Sequence, residues 1–149
     1  MYDILNSFTA NQATGAEPQA ITQDANSENI LDIGTAGKTT IRPVGSKGPY
    51  LIVKCTVCDN EAGSIAIQLR TASNVNLSTG ADIIATWSFT HTLLTAAVAS
   101  GKPLINQQLP HFEYKRYLGL YFDITTTTGS FIAYLSDTPE PAETPTATT

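Results

Sequence analysis

The sequence predicts an all-β fold: an antiparallel jelly roll or β-sandwich of about eight strands, with an extended N-terminal arm and a C-terminal tail. One observation is strict alternation in Lys115–Ile124, where Leu118, Leu120, Phe122 and Ile124 are apolar while Tyr117, Gly119, Tyr121 and Asp123 are polar-edged or small. Side chains alternate faces along a strand, so this segment has one face in a core. Burying four such side chains is worth about 6–12 kcal/mol before entropy is charged, against about 5–15 kcal/mol for the net stability of a domain. The strand must therefore be central. A second observation is a series of further short runs of this kind, separated by Gly, Pro, Asn and Thr turn signals. The third is composition: charged residues make up only 14%, below the usual quarter or so, and Thr, Ser, Asn and Gln replace them, as suits a β-rich surface.

Taken in order, residues 1–18 are polar and irregular, with spaced anchors at Tyr2, Ile4, Leu5 and Phe8, and with Gly15, Glu17 and Pro18 opposing regular structure. Such an arm either lies on something else or frays. Gln19–Asp24 and Glu28–Gly34 read as short strands around the turn former Ala25-Asn26-Ser27, and Thr39–Arg42 as another before Pro43 and Gly45. In Tyr50–Cys58, Leu51, Val53, Cys55 and Val57 share a face; in Ser64–Arg70, Ile65, Ile67 and Leu69 do. The short Gly-containing loop between these runs predicts a hairpin. Asp82–Thr90 is a strand with Ile83, Ala85, Trp87 and Phe89 inward, and His91–Ser100 fits a short helix or an extended crossing segment. Pro103–Pro110 carries a proline at each end, which predicts a sheet edge. After the central strand, Thr125–Gly129 turns the chain into Ser130–Leu135. The boundaries are thus an arm over 1–18, a domain over 19–136, and a Pro/Thr-rich acidic tail over 137–149, extended or disordered by composition.

The net charge of −5 belongs mostly to the tail: Asp137, Glu140 and Glu143 have no base near them, leaving 10 acids against 8 bases up to Ser136. That is no footprint of a nucleic-acid binder. No apolar run reaches membrane-spanning length, and Met1-Tyr2-Asp3-Ile4 lacks the basic start of a signal peptide, so the expectation is synthesis in a cytoplasm with no membrane partner.

No catalytic, cofactor or metal residue is nominated. Cys55 and Cys58 on one strand would face opposite sides about 10 Å apart, beyond the roughly 7 Å a disulfide spans, and no second Cys pair completes a metal site. Cys55 reads as a core filler and Cys58 as an ordinary thiol near a turn. His91 and His111 sit at element ends without metal spacing, and Asp59 and Glu61 read as solvated acids on a turn tip. Phosphate loops and nucleophile elbows are absent. Outward Tyr117 and Tyr121, with Arg116, either form a docking or sugar-stacking patch or pack against a covering segment.

One ordered set of motifs remains: Met1-x-Asp3, Asn6-x-Phe8-Thr9, Gln19-Ala20-Ile21-Thr22-x-Asp24-Ala25-x-Ser27-x-Asn29-Ile30-Leu31-Asp32-Ile33-Gly34, Gly48-Pro49-Tyr50-Leu51 and Arg116-Tyr117-Leu118-Gly119-Leu120-Tyr121-Phe122, with a closing apolar strand. Together these resemble the cement (capsid decoration) proteins of short-tailed phages, of the Bordetella-phage type, over roughly residues 1–136. Asn11–Pro18 looks like an insertion in the arm, and the tail beyond Asp137 has no counterpart. The resemblance implies a non-enzymatic jelly roll on the outer surface of a phage head. It would bridge major capsid subunits and associate with itself, with a homodimer favoured over a trimer. Contacts to the capsid or a sister copy would come from Tyr2, Ile4, Leu5, Phe8, Arg116, Tyr117 and Tyr121. The alternative is a carbohydrate- or receptor-binding jelly roll on the virion surface, with Tyr117, Tyr121 or Trp87 lining an open groove.

Overall fold

The computed structural model describes residues 7–11, 17–34, 49–77, 80–110 and 112–140. The expected strand at 39–42, the arm residues Tyr2, Ile4 and Leu5, His111 and most of the tail lie outside them. The elements are β1 (Gln19–Ile21), β2 (Ala25–Asn26), β3 (Leu31–Asp32), β4 (Tyr50–Cys58), β5 (Ser64–Ala72), β6 (Asp82–Thr90), α1 (His91–Ser100), β7 (Ile105–Gln108), β8 (Tyr117–Thr125) and β9 (Gly129–Ser136).

One sheet has the order β1-β9-β4-β7; the other runs β2-β8-β5-β6, with β3 also paired to β8. All pairings are antiparallel. The chain changes sheets at every connection except β2–β3 and β5–β6, which is jelly-roll wiring. The inward faces meet in a core that includes Leu51, Val53, Ile65, Ile67, Leu69, Leu118, Leu120, Phe122 and Phe131. Phe122 of β8 and Phe131 of β9 join the sheets with ring centroids 5.2 Å apart. As its alternation required, β8 is central, held by β5 along one edge and by β2 and β3 along the other.

Tyr50–Cys58 and Ser64–Arg70 do not form the expected hairpin. β4 pairs with β7 and β9, whereas β5 pairs with β6 and β8. Alternation identifies a strand's inward face but not its sheet, so two strands facing each other across a core look like two lying side by side. Ala25–Asn26, expected to turn, instead pairs with Phe122 and Tyr121. Two inward assignments fail at bulges: the register shifts between Cys55 and Val57 and opposite Ile84, leaving Val57 and Ile83 57% and 50% exposed. Ile84 joins the core margin in place of Ile83.

His91–Ser100 resolves as a helix. Thr90 caps it by accepting from Leu93 N, Gly101 closes it in the left-handed conformation at φ 68°, and Leu94 is its buried anchor. β7 is an edge strand, as its flanking prolines indicated. Trp87 on β6 packs against the core margin and donates from Nε1 to Gln107 Oε1 on β7 at 3.2 Å. It links the two edge strands.

The largest revision concerns the arm. Phe8 has no exposed surface and belongs to the core of its own chain, so it is unavailable for contact with another chain. Its amide donates to Ala133 O at 2.7 Å, and its carbonyl accepts from Asn29 N at 2.9 Å. Around it, Thr9 Oγ1 accepts from Ala133 N, Asn29 Nδ2 donates to Ser7 O at 2.6 Å, and Glu17 receives the hydroxyls of Ser7 and Thr9. Residues 7–10 are therefore part of the sandwich. An isolated aromatic in a polar stretch could equally have anchored on a neighbour; only the tertiary partners decide. The start of the tail is docked as well. Glu140 pairs with Lys54, accepts from Tyr134 Oη, and exchanges bonds with Asn106. Ile52, whose register neighbours are Asn106 and Tyr134, is fully buried on that outer face.

Candidate functional site

Of the expected contact residues, the described ones are Phe8, already placed in the core, and Arg116, Tyr117 and Tyr121. The last three lie on or beside the outer face of the β2-β8-β5-β6 sheet. Tyr117 and Tyr121 are half-buried, and each carries an arginine. Arg116 Cζ sits 5.2 Å from the Tyr117 ring centroid, and Arg70 Cζ sits 3.8 Å from that of Tyr121. Each guanidinium is also held by an acceptor. Arg116 donates to both carboxylate oxygens of Asp32, Nη2 to Oδ2 at 2.9 Å, and Arg70 donates to Gln68 Oε1 from Nε and Nη2 at 2.9 and 2.6 Å. The Arg116 bond keeps the Asp32 carboxyl below its ordinary value.

Gly119 separates the two tyrosines. A Cβ there would lie 2.2 Å from Leu77 Cδ1 and 3.4 Å from both Ile30 Cγ1 and Ser27 Oγ. The middle of the face is therefore roofed, and the tyrosines flank the roof as two separate arginine–tyrosine units. Arg70 was not singled out from sequence. The cross-strand register Gln68↔Tyr121 brings β5 beside Tyr121, and no spacing along the chain reveals it. The same row holds Asn26, whose Oδ1 is buried without a hydrogen-bond partner among the described residues.

The motif residues that carry the family resemblance also have structural roles. Gln19 donates to Asn26 O and accepts from Glu28 N; Ser27 Oγ accepts from Leu120 N and donates to Asn29 O. Asp24 Oδ1 accepts from Ile124 N at 2.8 Å. Together with Asn29 and Asp32, these side chains fasten residues 19–34 to β8 and to the segment at Phe8.

At one end of the sandwich the two sheet-crossing loops meet. Asp59 Oδ2 accepts from Thr128 N and Oγ1 at 2.7 and 2.6 Å, and its Oδ1 accepts from Glu61 N at 3.2 Å. Thr126 and Thr127 hydroxyls donate to Ala62 O and Glu61 O. Asp59 is thus a built anchor and not merely a solvated acid; the Thr128 bonds hold its carboxyl below the ordinary value. The start of α1 joins this end through His91, whose amide donates to Gly63 O and whose Nε2 lies 2.7 Å from Asp59 O. Cys58 Sγ, an Asp59 carboxylate oxygen and a His91 ring nitrogen all lie within 4.8 Å of one another. Cys55 and Cys58 are free thiols and Cys55 is buried, as their positions on one strand indicated. Burial pushes Cys55 up to about 12.

Among the described residues no helix is long and apolar enough to cross a membrane. No curated protein matches the chain. A family model described as Bbp16 matches residues 15–135.

Proposed function

The chain belongs to the Bbp16 family, a Bordetella phage-type family, and from that membership we propose that it is a structural cement protein of a phage head. It binds the outside of the capsid, bridges major capsid subunits and carries no enzymatic activity. The observation that supports this reading most is the family match over residues 15–135, which spans most of the sandwich. The physics is that of a clamp. A shell under internal pressure fails where subunits separate, and a rigid body attached to both neighbours opposes that separation. Each attachment can be weak, because a second contact on the same body is intramolecular and raises the effective affinity. The polar outer face with its two arginine–tyrosine units suits such docking, since Tyr and Arg are the residue types that dominate interface energetics. Self-association, as a homodimer, doubles the number of attachments.

The geometry disfavours the sugar-binding alternative. A stacked sugar needs an open aromatic face, whereas Arg70 lies over the Tyr121 ring at 3.8 Å and Arg116 over the Tyr117 ring at 5.2 Å. The direct test adds purified protein to expanded heads that lack it and follows their survival on heating. Saturable binding with raised survival supports the proposal; no binding, or no gain in survival, sinks it.

A further inference from the structure

We propose that Cys58, Asp59 and His91 form a binding site for a divalent transition-metal ion of borderline softness, zinc foremost, at the end of the sandwich where the sheet-crossing loops meet α1. The three donor atoms already lie within 4.8 Å of one another. Tetrahedral zinc, with sulfur at about 2.3 Å and nitrogen or oxygen at about 2.0–2.2 Å, holds its ligand atoms roughly 3.3–3.6 Å apart, so small side-chain rotations would close the cluster on the ion. One thiolate, one imidazole and one carboxylate form a donor set that suits zinc or cobalt and is poor for magnesium or calcium. Three protein ligands leave a fourth position for water. The Thr95 hydroxyl, 3.4 Å from His91 Nε2, stands beside the cluster.

The surroundings resemble a second shell. Asp59 is oriented by Thr128 N and Oγ1 on Oδ2 and by Glu61 N on Oδ1, which leaves a lone pair on Oδ1 for a metal. Two features oppose the site, and both are small enough to be overcome. The start of α1 presents the positive end of its dipole, worth about 0.3–1 kcal/mol, but the thiolate and carboxylate supply two negative charges against it. His91 Nε2 meets Asp59 O at 2.7 Å, so ligation either gives up that one hydrogen bond or uses Nδ1. Binding releases the Cys58 thiol proton to solvent as the sulfur–metal bond forms. A bound ion would tie the end of β4, in one sheet, to the helix that follows β6 of the other.

The test is titration of the metal-free full-length chain with Co²⁺, read by thiolate-to-cobalt charge-transfer absorption. The expected result is a saturable band at one ion per chain. Cys55→Ala retains it, Cys58→Ser abolishes it, and His91→Gln weakens binding by at least the 10–100-fold or so that outer-shell changes produce. Zn²⁺ should raise the melting temperature of the wild type but not of Cys58→Ser, while Mg²⁺ changes neither. Absence of a band, a band that survives Cys58→Ser, or unchanged affinity in His91→Gln overturns the proposal. Cys58→Ser is nearly isosteric and decides the matter even if His91→Gln fails to fold.

Discussion

Replacing Phe8 with alanine tests most sharply whether the N-terminal segment is part of the domain or an arm laid on a partner. Phe8 is fully buried, belongs to the core and is flanked by the Ala133 and Asn29 backbone bonds. Truncating a buried phenylalanine costs about 3–5 kcal/mol, a large part of the roughly 5–15 kcal/mol that holds a domain together. For a chain of this size that lowers the melting temperature by about 6–20 °C. Urea denaturation of the isolated protein, followed by tryptophan fluorescence, gives the free energy directly. Asn29→Ala should act in the same direction by about 1–3 kcal/mol, because Ser7 O is left buried without its donor. An arm that only reaches a neighbour would show surface-like changes within about 0.5 kcal/mol in the isolated chain. A loss below about 1 kcal/mol for Phe8→Ala, with the domain folded, would refute the reasoning.

Gly63→Ala should destabilise more than Gly119→Ala. At Gly63 the added Cβ meets the backbone oxygen of Thr125 at 1.9 Å, whereas at Gly119 it meets the movable Leu77 side chain at 2.2 Å. Gly119→Ala should cost about 1–3 kcal/mol, and the reverse order in thermal melts would contradict the account. Asp32 and Asp59 both titrate below the ordinary carboxylate value of 3.8. Their folded-state pKa values are depressed, so the stability they contribute is fully present above the unfolded value and is lost as pH falls through the folded one. Asp59→Asn should therefore flatten the decline of stability below about pH 4, as read by urea midpoints against pH. Tyr121→Ala should lower the melting temperature only modestly, through loss of the Arg70 contact, but weaken head binding in co-sedimentation; full binding by the folded variant would remove Tyr121 from the docking face.

The strands with clean alternation were legible in the sequence because a half-buried strand must alternate: β4, β5, β8 and β9 lie within a residue or two of where their patterns put them. What alternation cannot carry is partnership. The β4–β5 connection was misread because crossing a core and turning back in one sheet leave the same pattern on the chain. Val57 and Ile83 were misassigned because a bulge inverts the alternation beyond it, and nothing local marks a bulge. The contact residues were partly legible. Tyr117 and Tyr121 do face outward, but Arg70 reaches Tyr121 only through strand pairing and Phe8 turned inward. Cys58 and Asp59 are adjacent in the chain but His91 is distant from them, and it joins them only because the end of β4 and the start of α1 share one end of the sandwich.

The central claim, that this jelly roll clamps capsid subunits together from outside, is met most directly by a cryo-electron microscopy map of heads decorated with the protein. The account predicts density for the sandwich on the outer surface, spanning the boundary between two major capsid subunits. Density confined within one subunit, density inside the shell, or none at saturating protein would contradict it.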